Sequence, residues 1–179
     1  HVRYLEATSR TGMGYIPRIE YGGSELLPVE ARAVDGEGND AKPNRFAAWC
    51  GDLLHPATFA DFSRLLDSLV GKYAARNPQL LGVLWRIRSD RMPISYSRSD
   101  IEMFARETGT TPPGTVSDRE LARWASQGAA ASAYTDWWHR KRAEFQGRGA
   151  RLLDGYRPDL KLWFYNWDND KFSLGMHDF

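Results

Sequence analysis

The sequence predicts an α/β fold with parallel strands, and three observations carry that reading. Strand-like and helix-like periods alternate along the 179 residues, the order produced when helical crossovers join strands of one sheet. The stretch LLGVLWRI at residues 80–87 is apolar almost without interruption, as in strands of a parallel sheet covered on both faces. Three strand-like runs, GYIPRIEYGG, LLGVLWRIRSD and DLKLWFYNW, each keep one bulky face and turn polar on the other only toward their C-terminal ends.

The elements follow in order. Val2 and Leu5 with a Gly12 stop predict the end of a helix. GYIPRIEYGG then reads as a short strand in which Pro17 must sit where no backbone N–H is needed, at an edge or a bulge. Residues 22–55 hold Pro28, Pro43 and several glycines without a sustained period and read as a long loop. Loops of that length in compact domains are usually functional or disordered, and Phe46, Trp49, Leu53 and Leu54 predict that its second half packs down. From Pro56, the apolar residues Phe59, Phe62, Leu66, Leu69, Val70 and Tyr73 recur at helical steps, with Pro56 in the first turn and Asn77-Pro78 as the stop. The second strand follows. Ser99 and Glu102 predict a capping box opening a helix that Gly109 closes, and Ser117 with Glu120 repeats the signal. A longer helix runs through Tyr134, Trp137, Trp138, Lys141 and Phe145 to Tyr156 before Pro158. DLKLWFYNW is the third strand.

Composition bounds the function without naming it. With 42% hydrophobic and 13% aromatic residues the chain can build one sizeable core. Its 24 Lys and Arg against 23 Asp and Glu leave a net charge of +1, which gives no general attraction to nucleic acid or an anionic membrane. No apolar run has the length of about 18 residues that a spanning helix needs. The single cysteine, Cys50, excludes an internal disulfide, and the four scattered histidines give no zinc spacing. No cofactor is expected, and the compartment stays open. The chain starts at His1 inside what reads as a helix and stops at Phe179 just past a strand. It therefore reads as a single domain, residues 1–179, that is a fragment covering about three strand–helix units of a larger barrel, the alternative being artificially trimmed ends.

Side chains alternate along a strand, so parity sorts them. Arg18 and Glu20 share parity with Ile16; Arg86, Arg88 and Asp90 share it with Leu84; Asn166 and Asp168 share it with Leu162 and Phe164. Trp85 and Trp163 are assigned to the helix-facing parity and are expected in the core. Polar groups so far into three strands would be costly in an open sheet covered on both faces, whereas in a barrel the second face points inward and its upper mouth meets water. The expected fold is thus a partial (β/α)8 barrel with parallel strands and helices on the outer face, and Arg18, Glu20, Arg86, Arg88, Asn166 and Asp168 would ring a pocket at the C-terminal ends of the strands. A structural arginine–carboxylate network at the same place is the alternative. Arginines beside acids lower the acids' pKa, which suits a nucleophile or electrostatic stabiliser better than a proton donor.

The stretches GYIPRIEYGG, NPQLLGVLWRIRSDRMPISYSRSDIEMFARETG, YTDWWHRKRAEF and PDLKLWFYNWDND together resemble the third to fifth strands of (β/α)8-barrel glycoside hydrolases of the beta-galactosidase and agarase-like kind. The resemblance covers about 150 residues through loose patterns. It implies hydrolysis of glycosidic bonds by two carboxyl groups, about 5–5.5 Å apart for retention or about 6.5–9.5 Å for inversion. Where such enzymes commonly end the fourth strand in Asn-Glu, this sequence has WRIRSD with Asp90 as the nearest carboxylate. Either Asp90 serves, or the pair lies elsewhere, or the site only binds. The candidates for catalysis are Asp90, Glu20 and Asp168, with Arg18, Arg86, Arg88, Asn166, Trp167 and Tyr96 binding the sugar and Trp49 a further aromatic surface. As an isolated fragment the chain is expected to turn nothing over and to associate through its exposed sheet edges. A non-catalytic carbohydrate-binding or scaffold domain is the alternative function.

Other signals have plainer readings. The basic run WWHRKRAEFQGRGAR could mark a nucleic-acid surface, but Asp136, Glu144 and Asp154 interrupt it and a solvated helix face accounts for it. NWDNDK offers oxygen ligands for Ca²⁺ without the Gly and distal Glu of an EF-hand loop. His55 and His177 read as ordinary loop histidines, and Cys50 as a packed thiol.

Overall fold

The computed structural model describes residues 1–41, 49–87 and 92–166. They form an α/β unit around a three-stranded parallel sheet. Helix α1, Val2–Thr11, ends at Gly12, whose φ of 70° closes it in the left-handed region. Strand β1 is only Arg18–Ile19; Pro17 precedes it and offers its carbonyl to the Leu84 N–H at 2.9 Å, so the proline's missing donor costs nothing on an edge strand. Helix α2, Pro56–Leu66, passes through a π-helical turn at Asp67–Gly71 into a last turn, α3, Lys72–Ala74. Strand β2 is Gly82–Ile87. Helices α4, Arg98–Thr108, and α5, Asp118–Gln127, form the excursion before the long helix α6, Ala131–Tyr156, and strand β3, Lys161–Asn166.

The Ser117–Glu120 capping box forms as predicted, each side chain bonded to the other's backbone N–H. The preceding helix starts two residues earlier than predicted: Ser97, not Ser99, is the N-cap and accepts from the Asp100 N–H at 3.2 Å. Asp100, in the first turn of this helix, is buried.

The sheet order is β1–β2–β3 with all pairs parallel, and β2 sits in the centre. Its first residue must be glycine: Gly82 has φ 142°, and a Cβ there would collide with the Lys161 backbone carbonyl of the neighbouring strand. Arg157, just past α6, fastens the opposite end of the crossover by donating to the carbonyls of Ala74 at 2.8 Å, Asn77 at 2.9 Å and Leu80. Between α2, α6 and the sheet lies the core. The Phe62 ring is 4.7 Å from Trp85 and 5.4 Å from Phe145, and Trp85 stands 6.0 Å from Phe164.

Register corrects one expectation. Ile19 pairs with Trp85 and Trp85 with Phe164, so Ile19, Val83, Trp85, Ile87 and Phe164 share the face that the helices cover. The other face carries Arg18, Leu84, Arg86 and Trp163. Trp85 is wholly buried as predicted, but Trp163 is 36% exposed. Its phase relative to β2 is the reverse of the predicted one, because alternation fixes faces within a strand while hydrogen-bond register fixes them between strands. Neither a closed nor a closing barrel is formed by the described residues; β1 and β3 are the edges of the sheet.

The described part of the segment after β1 packs down, with Leu53 and Leu54 against the core as predicted, whereas Phe46 lies outside the described residues. A 3₁₀ turn at Val29–Ala31 is followed by bridges Arg32↔Gly51 and Val34↔Asp40, with Ala33, Ala41 and Cys50 packed between them. Glu37 at its tip accepts from Arg119 at 3.2 Å and Arg123 at 2.5 Å, tying it to α5.

Candidate functional site

Three of the predicted residues meet at the C-terminal end of the sheet. Arg18 and Glu20 follow one another with strand parity on and after β1, and Arg86 stands on the neighbouring β2 in the register position that faces Glu20's side of the sheet. Arg86 Nη1 donates to Glu20 Oε1 at 2.6 Å, and Arg18 Nη2 approaches the same oxygen at 3.6 Å. The Arg86 side chain is 13% exposed and that of Glu20 22%, whereas Arg18 is 60% exposed. The Glu20–Arg86 bond is therefore partly withdrawn from water, where a charge-assisted hydrogen bond gains strength, and Arg18 adds a screened, exposed charge.

A cavity of about 550 Å³ opens beside this cluster, between β1 and α2, lined by Glu20, Tyr21, Leu26, Asp61, Arg64 and Leu65 among others. Asp61 was not singled out from the sequence, where it reads as a polar position on the α2 face. It is buried, accepts from Arg64 at 3.1 Å, and lies 3.0 Å from the Tyr21 hydroxyl. That hydroxyl also reaches the Thr58 carbonyl at 3.0 Å, while the Tyr21 carbonyl accepts from Trp85 Nε1 at 3.1 Å. Burial, followed by the Asp61 carboxylate, pushes the Tyr21 hydroxyl up, so it stays protonated and serves as a donor. The cavity thus places two carboxyl groups, Glu20 and Asp61, in one wall system with an arginine beside each.

The other predicted residues fall elsewhere. Tyr96 stacks on Tyr134 of α6 with centroids 5.2 Å apart, and its N–H donates to the Val34 carbonyl at 2.8 Å; burial raises its hydroxyl. One face of its ring is thus taken up by Tyr134. Trp49 has the Arg32 guanidinium 3.8 Å above its ring. Asn166 is the last residue of β3, and its register partner is Ile87, not Arg86. Arg88, Asp90, Trp167 and Asp168 lie outside the described residues, as do His177 and the NDK of NWDNDK. His55 caps α2, its Nδ1 accepting from the Ala57 N–H at 3.2 Å.

A second carboxyl pair was missed entirely. Asp52, just after Gly51, accepts from the Leu54 N–H at 2.9 Å and from Ser97 Oγ at 3.3 Å. Asp100 lies beside it, and the two carboxyls can share a hydrogen bond only when one of them keeps its proton. Burial first, then the Asp52 charge, push the Asp100 carboxyl up to about 9, and burial raises Asp52 as well. The Tyr134 hydroxyl closes the cluster, donating at 2.6 Å to the Ser95 carbonyl. Both acids are 2% exposed, so the pair joins the folded segment to α4 and presents no face to a substrate.

Among the described residues no three His, Cys, Asp or Glu side chains are grouped to hold a metal ion, and no helix is long and apolar enough to cross a membrane. Compared with protein-family models and with curated proteins, the chain matches none of them.

Proposed function

We propose that the chain is part of a (β/α)8-type carbohydrate-active protein that hydrolyses glycosidic bonds, with the Glu20 carboxyl group at the sugar site. The observation that carries this reading is the Glu20–Arg86 bond of 2.6 Å at the C-terminal ends of adjacent parallel strands, the end at which parallel barrels gather their sites. The arginine orients the carboxylate, as a nucleophile or a group stabilising an oxocarbenium-like transition state requires. Arg18 offers a planar donor at the exposed rim, suited to sugar hydroxyls. Asp90 and Asp168 remain the proposed partners in proton transfer, with Asp61 a third carboxyl beside the same cavity.

A scaffold reading has its own support. Arg86 and Glu20 are each less than a quarter exposed, and a pair so placed can serve only the packing of two strand ends. Glu20→Gln separates the two. On the enzymatic reading the variant melts like the parent, and turnover of a panel of aryl glycosides by the full polypeptide falls by at least a hundredfold. On the scaffold reading the melting temperature falls and any sugar binding follows it down. Saturation-transfer NMR with mono- and oligosaccharides reads binding in the chain itself; no transfer to any sugar, with Arg18 and Arg86 intact, counts against a carbohydrate site.

A further inference from the structure

Helix α6 carries a strip of buried polar groups that the preceding site does not use. Trp138, Arg142 and Gln146 are four residues apart and so share one face of the helix. Their exposures are 1%, 6% and 2%. Among the described residues Trp138 Nε1, Arg142 Nε and Nη2, and both the nitrogen and the oxygen of the Gln146 amide have no hydrogen-bond partner.

Such a strip runs against the usual satisfaction of buried polar groups, and the arginine makes it more than a packing defect. A guanidinium does not give up its proton within the range of protein stability, so Arg142 is a buried cation. The Trp138 ring, 5.6 Å from its Cζ, offers partial compensation through its face. Ordered water could satisfy the N–H groups but would leave the charge unbalanced. The two orphaned donors, Nε and Nη2, belong to one edge of the planar group, the edge that grips two oxygens of a carboxylate or phosphate side by side. Gln146 lies one turn further along α6, and helical side chains lean toward the helix N-terminus, which brings its amide toward that edge.

We propose that the Nε/Nη2 edge of Arg142, flanked by Gln146 and Trp138, is a binding site for an oxyanion, a carboxylate or a phosphate. The site lies on the helix layer and is independent of the carbohydrate reading of the Glu20 cluster.

The test titrates the chain with inorganic phosphate and, separately, with acetate, each at ionic strength held constant with sodium chloride. Melting temperature and the Arg142 Nε–H resonance in ¹⁵N NMR are followed together. The expected result is a saturable rise in melting temperature with a matching shift of that resonance; phosphate alone, acetate alone or both would define the oxyanion. Arg142→Lys keeps the charge but loses the fork and should bind at least tenfold more weakly, Arg142→Met should not respond, and Gln146→Leu should bind several-fold more weakly. An Nε–H resonance unmoved by both anions in the parent chain overturns the proposal, as does a response retained in Arg142→Met. Should the arginine variants fail to fold, the parent titration and Gln146→Leu decide.

Discussion

Replacing Asp100 with asparagine should remove most of the chain's loss of stability between neutral and alkaline pH. In the unfolded chain the Asp100 carboxyl releases its proton near the ordinary value of 3.8, whereas in the fold it holds it to about 9. Between those values unfolding sets a proton free, so stability falls as pH rises, with a limiting slope of about 1.4 kcal/mol per pH unit for one proton. The contribution is whole below about pH 4 and lost above about pH 9. From pH 6 to pH 8 the fall amounts to about 3 kcal/mol, or about 6–12 °C in melting temperature for a domain of this size. Asparagine keeps the shape and can still donate to Asp52, but it demands no proton. Urea unfolding at pH 6, 7 and 8 should show the parent's slope reduced by about one proton in the variant, with the variant the more stable at pH 8. Parallel pH profiles for the two proteins, or a parent whose stability rises over this range, would refute the shared-proton reading of the pair.

Gly82→Ala should cost about 3 kcal/mol or more, because the new Cβ meets the Lys161 carbonyl and φ 142° is unfavourable for any side chain; equilibrium unfolding of the variant measures it. Arg157→Met should cost about 2–4 kcal/mol, since three carbonyls, those of Ala74, Asn77 and Leu80, lose a charged donor together; hydrogen exchange of the Gly82–Ile87 amides should accelerate in the same variant. Ser117→Ala should cost about 1 kcal/mol through the lost capping box, read from the urea midpoint, with the fraying confined to the first turn of α5.

Local chemistry made most of the elements readable in advance. Gly12 and Gly109 stop their helices, the Ser117–Glu120 box starts one, and the apolar steps from Phe59 to Tyr73 define another, all through interactions within a few residues of each other. The meeting of Glu20 with Arg86 was partly readable for a related reason: both share the polar parity, assigned to a barrel interior, near the C-terminal ends of their strands, and parallel neighbours bring such ends together. Asp61 and the Asp52–Asp100 pair were not readable. Asp61 occupies a helix position whose pattern is the same whether it meets water or Tyr21. Asp52 and Asp100 are 48 positions apart in sequence, and no period links them. Their meeting depends on the segment after β1 folding onto the N-terminus of α4, and on Ser97 rather than Ser99 capping that helix. Two serines separated by one residue compete for the cap, and local sequence does not show which one takes it.

The misassigned face of Trp163 shows how far parity can carry an argument about sites. Strand alternation sorts residues into two sets, yet which set of one strand joins which set of the next is fixed by hydrogen bonds that the sequence does not display. The bulky runs of β2 and β3 look alike, and each offers a tryptophan in mid-strand. Pairing Trp85 with Phe164 gives the helices a continuous aromatic layer with Phe62 and Phe145, whereas pairing the two tryptophans would have set two indoles side by side against α6. The chosen register leaves Trp163 beside Leu84 on the face that carries Arg18 and Arg86. That second face therefore combines apolar residues with a charged C-terminal rim, the composition that the proposed sugar site would need. Trp163→Ala should cost about 1–3 kcal/mol, because the indole is only 36% exposed, while abolishing any tryptophan fluorescence response to oligosaccharide. A response that persists in Trp163→Ala would place the sugar off this face and against the cavity at β1.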